Sequence, residues 1–354
     1  MGRQKVEKRR KAAGAGSRLS EKKIWLITLL ILILLGGSAL GLLAVMLRDN
    51  TGSLDMPMVW SNADKVYNTS DQTAMQTRYS YTSDLCVSAD DVSDSNIVIS
   101  EGEAAGLFSM DDRKVVYSRD MYKQVYPASI TKLLTAILAL KSDKMGETVT
   151  INWQDLELES GSQVVGFRIG DKVTMQELLR GLLIHSGNDA AQAIARTVGG
   201  TQDKFVGMMN EELMALGCTG SHFTNPTGLH SEDHYTTVYD IYLMLNEALK
   251  YDEFVSISQI PVYDLQYEDK EGNEMHVTLD STDHYLTGAT EPPKNVTILG
   301  GKTGTTAAAG NCLAVVAQNA YGQFYISVVL GAPSKDQLYT DQNVLLSHIN
   351  GSGA

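Results

Sequence analysis

The chain is short of cysteine, proline and net positive charge. It has 3 Cys and 7 Pro among 354 residues. Three Cys exclude a scaffold built on disulfides. So little proline, beside 43% hydrophobic residues, excludes a mucin-like stalk and a mostly disordered chain, and 31 Gly are too few for collagen. The formal net charge of −13 argues against nucleic-acid binding, which needs a basic face to neutralise phosphates. No fixed-period repeat is present. The length suits one large domain or two small ones.

What charge there is divides unevenly. Residues 1–23 hold nine Lys/Arg and two acids, leaving 20 basic and 40 acidic residues for the rest, so a head at +7 precedes a body at −20. Between them Ile24–Leu47 carries no charged side chain. A helix rises about 1.5 Å per residue, so this run reaches across a hydrocarbon core of about 30 Å. The basic flank then stays in the cytoplasm, the acidic body lies outside, and Trp25 sits at the inner edge. The alternative is a cleaved signal peptide with Gly37-Ser38-Ala39 at the cleavage site. The apolar stretch exceeds the about 7–15 residues of such a segment, which favours a retained single-pass anchor. A buried soluble helix fits poorly beside the basic flank. Val6 rules out a myristoylation signal, and no Cys follows the apolar run closely.

Residues 48–75 read as a polar tether and 76–349 as the folded domain. Ala104–Ser118 reads as a hairpin. Helical patterns occupy 129–141, 174–185, 188–198, 201–216 and 236–249, with Gly217 as a stop for the fourth. Phe205, Met208, Met209, Leu213 and Leu216 form a core stripe at helical spacing. Residues 255–300 show short alternating runs. Strands are expected at Val296–Thr303, Asn311–Gln318 and Phe324–Leu330, and a helix at 334–349. This order predicts an α+β fold, an antiparallel β-sheet flanked by helices, with an all-helical subregion.

The chemistry concentrates in three places. After Pro127 a helix apolar on nearly every side carries Lys132 in its first turn, with Ser129 at i−3 on the same face. A serine hydroxyl is a poor nucleophile until a base takes its proton. A lysine can be that base if burial and neighbouring positive charge lower its pKa. The spacing alone is weak, since Ser20-Glu21-Lys22-Lys23 also fits it. Second, Ser186 and Asn188 occupy a turn between two helical patterns, where they could cap a helix or relay a proton and hold an amide. Third, Gly300–Thr306 ends a strand with Lys302 as a fixed cation, Thr303 as a hydroxyl and Gly304 as a point of close approach.

With these motifs in this order, the chain resembles the D-alanyl-D-alanine carboxypeptidases, the low-molecular-weight penicillin-binding proteins of serine peptidase family S11. The resemblance runs from about Glu101 to Leu330 and is closest in LLRGLLIHSGNDAAQAIARTVGG, FVGMMNEELMALG, HFTNPTGLHSEDHYTT and GGKTGTTAAAGNCL. It implies a β-lactamase/transpeptidase-like fold and no cofactor. It also implies roles: Ser129 forms the acyl-enzyme, Lys132 is its base, Ser186 relays the proton and Asn188 positions the substrate amide. Lys302 faces the terminal carboxylate and Thr303 hydrogen-bonds it. Gly304 and Thr305 lie along the substrate, with the N–H groups of Ser129 and Thr305 as oxyanion hole. The implied partners are the peptidoglycan stem peptide ending in D-Ala-D-Ala and, as inhibitors, β-lactam antibiotics. Several members carry a β-rich second domain and a C-terminal amphipathic helix; here the expectation is that Ile24–Leu47 does the anchoring.

Other readings fit less well. His230 and His234 stand at a spacing that can hold zinc, but no HExxH accompanies them. A β-lactamase needs a base for water, and Glu157 and Glu159 lie in the right interval without a supporting pattern. A non-catalytic wall-binding protein needs none of Ser129, Lys132, Ser186, Asn188 and Lys302. Cys86, Cys218 and Cys312 allow one disulfide and a free thiol, or three free thiols.

Overall fold

The computed structural model of the chain describes residues 84–350. The basic head, the apolar run, the tether and the first residues of the expected domain lie outside the described residues. No helix among the described residues is long and apolar enough to cross a membrane.

The hairpin forms as β1 (Ala104–Ser109) and β2 (Lys114–Arg119). The helix expected from 129 is divided. Ala128–Thr131 wind as a 3-10 turn, and only then does α1 (Lys132–Lys141) begin. Ala128 has φ 47°, outside the helical region, and the Thr131 hydroxyl donates to its carbonyl at 2.9 Å, closing the tighter turn. Two short strands, β3 (Thr148–Thr150) and β4 (Lys172–Thr174), bracket a long loop. Then come α2 (Met175–Leu183), α3 (Asn188–Gly199) and α4 (Gln202–Leu216). Thr174 and Thr201 cap α2 and α4 by accepting from Glu177 N and Lys204 N. Gly217, at φ 80°, ends α4, and Cys218 N donates back to Leu213 O at 2.8 Å. Thr237 accepts from Asp240 N, so α5 (Val238–Ala248) starts two residues later than the pattern indicated.

The stretch 255–300 resolves into parts the sequence left as short runs. They are α6 (Asp252–Ser258), a hairpin of β5 (Val262–Glu268) and β6 (Glu274–Asp280), and α7 (His284–Thr287). The chain closes with β7 (Thr297–Thr306), β8 (Gly310–Gln318), β9 (Phe324–Ala332) and α8 (Lys335–Ser347).

Two antiparallel sheets result. The larger has the order β2-β1-β9-β8-β7, which leaves β7 at an edge. The smaller, β3-β4-β5-β6, was not expected. The larger sheet is buried on both faces, which is why β8 and β9 read as nearly unbroken apolar runs. Alternate residues divide between two cores. Ala314, Val316, Ile326 and Val328 meet the helices α1–α6, while Leu313, Val315 and Val329 meet Leu338, Leu345 and Leu346 of α8. In the first core Phe108 stacks on Tyr242 with centroids 4.3 Å apart. Phe205, Met209 and Leu213 of the α4 stripe are buried there, with Met208 and Leu216 packed at its margin. Cys86, Cys218 and Cys312 are three separate buried thiols, the second of the two alternatives.

Candidate active site

Three elements converge on one cleft. The first is the start of α1. The Lys132 side chain is fully buried, and its amine makes three contacts: Ser129 Oγ at 2.8 Å, Asn188 Oδ1 at 2.7 Å and Thr227 O at 2.7 Å. Two of these partners are carbonyl oxygens, which only accept. A neutral amine has two N–H groups to give them, and its lone pair then falls towards the Ser129 hydroxyl. The medium favours that state. Burial pushes the Lys132 pKa well below its usual 10.5; the charge of Lys302 adds to this, and Asp189 opposes it.

The second element is the turn between α2 and α3. Ser186 sits there at φ 62°, a conformation that costs a residue with a side chain roughly 1–2 kcal/mol. The capping role left open for Ser186 and Asn188 does not materialise: Gly187 is the N-cap and has no side chain to make a cap bond. The Ser186 hydroxyl instead accepts from Lys302 Nζ at 2.9 Å, and the Asn188 amide faces Lys132. Asp189 is buried and accepts from the N–H groups of Val165, Gly166 and Phe167. It thereby ties the β3–β4 loop to the start of α3.

The third element is β7. Its alternation buries Gly300, Lys302 and Gly304 on one side. Lys302 is 1% exposed and donates to Ser186 Oγ and to Thr303 O at 3.0 Å. Burial brings its pKa down to about 7, while the charge of Asp283 acts the other way. Gly304 passes close to the turn that carries Ser129. A β-carbon on Gly304 would stand 2.9 Å from both Pro127 O and Ser129 N. Gly228 is tighter still, since a β-carbon there would lie 1.9 Å from Ala128 O.

The cleft measures about 350 Å³, and Ser129, Ser186, Asn188, Thr303, Gly304 and Thr305 line it. Every residue singled out in the three motifs is therefore at the cleft or, for Lys132 and Lys302, hydrogen-bonded to a group lining it. Thr227, Asp189, Thr282 and Asp283 also belong to the arrangement and were not singled out from the sequence. Thr282 Oγ1 lies 2.5 Å from Thr303 Oγ1. The signal for Thr227 was the Asn225–Gly228 turn, whose Asn225 Oδ1 accepts from Thr227 N and Gly228 N. His234 stacks on Phe223 and spends Nε2 on Thr131 Oγ1 and Nδ1 on Thr224 N. Both ring nitrogens are thus engaged by the protein, and burial depresses the pKa of His234 to about 3. His230 packs edge-on against Tyr126. Glu157 and Glu159 are exposed and do not line the cleft.

A serine beside a buried amine, with a serine–asparagine turn and a lysine-bearing edge strand, on a sheet with a helical half: this is the architecture of the DD-peptidases. The profile of the D-alanyl-D-alanine carboxypeptidases matches residues 87–334, and the chain belongs to that family of serine peptidases, S11. It is 31% identical over 237 residues to D-alanyl-D-alanine carboxypeptidase DacF of Bacillus subtilis, covering 66% of this chain and 58% of the relative. To DacC of Escherichia coli it is 32% identical over 244 residues, covering 66% and 57%. The chain thus spans rather more than half the length of these relatives. Among solved structures, a D-alanyl-D-alanine carboxypeptidase from Mycobacterium tuberculosis superposes with a TM-score of 0.62 at 29% identity, covering 72% of this chain and 94% of that one. The Streptomyces K15 DD-transpeptidase superposes with a TM-score of 0.64 at 24% identity, covering 72% and 97%.

The buried cation has a measurable cost. Lys302 titrates at about 7 in the folded chain against 10.5 when exposed. Between those values the unfolded chain binds more protons at this group, so its contribution to stability rises with pH. The penalty is complete below about 7 and gone above 10.5. Lys302→Met should melt above the native chain at pH 6, with the gap closing towards pH 10; thermal unfolding at both pH values measures this.

Proposed function

We propose that the protein is a serine-type D-Ala-D-Ala carboxypeptidase that removes the terminal D-Ala from peptidoglycan stem peptides through an acyl-enzyme on Ser129. The observation that carries this reading is the 2.8 Å contact between Lys132 Nζ and Ser129 Oγ, with the other two partners of that amine being acceptors only.

The lone pair of Lys132 takes the Ser129 proton as Oγ attacks the carbonyl carbon of the penultimate D-Ala. The developing oxyanion is held by the N–H groups of Ser129 and Thr305. Collapse breaks the peptide bond, and the proton passes to the leaving nitrogen through the Ser186 hydroxyl. Asn188 holds the substrate amide. Lys302 and Thr303 face the carboxylate of the departing residue, so a free C-terminus is selected. The open edge of β7 pairs with the extended peptide as an added strand would. Water then releases the acyl group from Ser129. Penicillins acylate the same hydroxyl. Among the described residues lining the cleft there is no carboxylate to direct water at such an adduct, which favours a carboxypeptidase over a β-lactamase.

We further infer that Ile24–Leu47 anchors the chain as a single transmembrane helix, with the N-terminus in the cytoplasm and the catalytic domain outside. The charge division supports this reading. Protease added to intact cells should remove the domain, and a domain protected until lysis would overturn the orientation.

Two experiments test the chemistry. A pentapeptide ending in D-Ala-D-Ala should lose one alanine by mass, and a fluorescent penicillin should label the native chain but not Ser129→Ala. Labelling of Ser129→Ala would remove the nucleophile assignment. Lys302→Ala should lower kcat/KM by about 10²-fold or more for peptides with a free C-terminal carboxylate, and much less for their amides, since each 1.36 kcal/mol of lost transition-state binding is tenfold. Equal losses on both would remove the carboxylate role.

A further inference from the structure

A second groove, of about 410 Å³, lies where α3 ends and α4 begins. Its walls include Trp153, Gln154, Glu157, Gln192, Arg196 and Gln202. Trp153 is 61% exposed, an unusual position for so large an apolar ring. The short turn that carries it is rigid: Asn152 Oδ1 accepts from Gln154 N and Asp155 N, and Asp155 Oδ2 accepts from Asn152 N. Asp155, itself buried, also clamps Arg196 through two bonds of 2.8 Å, so the two charges cancel each other.

Gln192 is the telling residue. Its side chain lines the groove, is only 9% exposed and has no hydrogen-bond partner among the described residues. The amide itself opens onto the groove, so a ligand seated there can reach its N–H groups and its oxygen. Gln154 and Gln202 are exposed and place two further amides at the rim. An indole face beside accessible amides, with the Asp155–Arg196 charges already neutralised, suits a neutral ring that has an apolar C–H face and a rim of hydroxyl and acetamido groups. An anion would meet Glu157 and an arginine already paired. A purely apolar ligand would leave the amides orphaned.

The groove is also placed to serve the cleft. Helix α3 starts at Asn188 in the cleft, and Gln192 and Arg196 follow on the same face, about 6 and 12 Å along its axis. The β3–β4 loop joins the two sites, with Glu157 in the wall of the groove and Gly161–Gln163 in the wall of the cleft. Four extended peptide residues span about 13 Å. That length matches the about 12 Å of α3 from Asn188 to Arg196, so a peptide held at Ser129 by its C-terminal end and running along α3 would bring the sugar at its other end to the groove.

We propose that this groove binds an N-acetylated hexosamine of the glycan strand that bears the peptide. The proposal rests on the carboxypeptidase reading and extends it: the enzyme recognises the sugar as well as the peptide. With the full chain in detergent, release of D-Ala should be about tenfold more efficient from a pentapeptide carried on an N-acetylglucosaminyl-N-acetylmuramic acid disaccharide than from the free pentapeptide, a factor worth about 1.4 kcal/mol. Trp153→Ala and Gln192→Leu should bring that ratio close to one and leave the free pentapeptide unaffected. A ratio near one in the native chain, or one unmoved by both variants, overturns the groove and leaves the carboxypeptidase intact. If neither peptide is cleaved, the carboxypeptidase reading fails, and N,N′,N″-triacetylchitotriose then tests the groove alone. A shift of the Trp153 indole N–H resonance that disappears in Gln192→Leu supports the groove. An unmoved resonance overturns it.

Discussion

Two buried lysine amines serve one cleft, and the rest of the site answers to that crowding. Each amine is buried, and burial penalises its charged form. Among the described residues no carboxylate bonds to either one: the partners of Lys132 are a hydroxyl and two carbonyl oxygens, and those of Lys302 are a hydroxyl and a carbonyl oxygen. Burial therefore lowers both pKa values, and their mutual repulsion makes double protonation worse still. Asp283 favours charge on Lys302, and the Lys302 charge in turn disfavours charge on Lys132. The cleft thus separates a base from a cation although both are the same residue type.

Holding those amines apart at fixed distances requires three chain segments to meet with little room. The meeting is made by backbone features. Ala128 and Ser186 adopt left-handed φ values, each at a turn that presents a functional side chain. Gly228 and Gly304 allow the approach of two strands of backbone to the Ser129 turn, where any β-carbon would collide with main-chain atoms. The strain is tolerable because the two cores on either face of the large sheet, and the helices behind α1, hold the frame rigid.

Much of this was legible in the sequence, for identifiable reasons. Lys132 stood out because an amine in an apolar helix has no ordinary reason to be there. Lys302 stood out because it follows paired glycines on a strand. Helices α2–α5 were readable from periodicity, with Gly217 marking the end of α4. The smaller sheet was not readable. Strands β3 and β4 have three residues each, and β5 and β6 alternate only weakly because one of their faces is largely exposed. Thr227 escaped notice because it acts through its carbonyl, which any residue possesses. Asp189 escaped because a carboxylate next to Asn188 at a helix start reads only as a local partner of the first turn; it does accept from Ala190 N, but its other partners come from a loop more than twenty residues away.

Asp189 also explains how a loop without regular structure can form a wall of the cleft. Three successive N–H groups, of Val165, Gly166 and Phe167, converge on one carboxylate fixed in the first turn of α3. Asn188 N donates to Gln163 O, so the same loop is bonded to the turn that bears Ser186 and Asn188, while Gly187 N donates to Gly181 O of α2. The loop is therefore positioned by the catalytic turn itself, and any shift of α3 moves both. Because α3 also supplies Gln192 and Arg196 to the second groove, one rigid helix sets the geometry of Lys132 at one end and of the Trp153 groove at the other. Binding at the groove would bear on the acylation site through that helix, without a conformational change being needed to connect them.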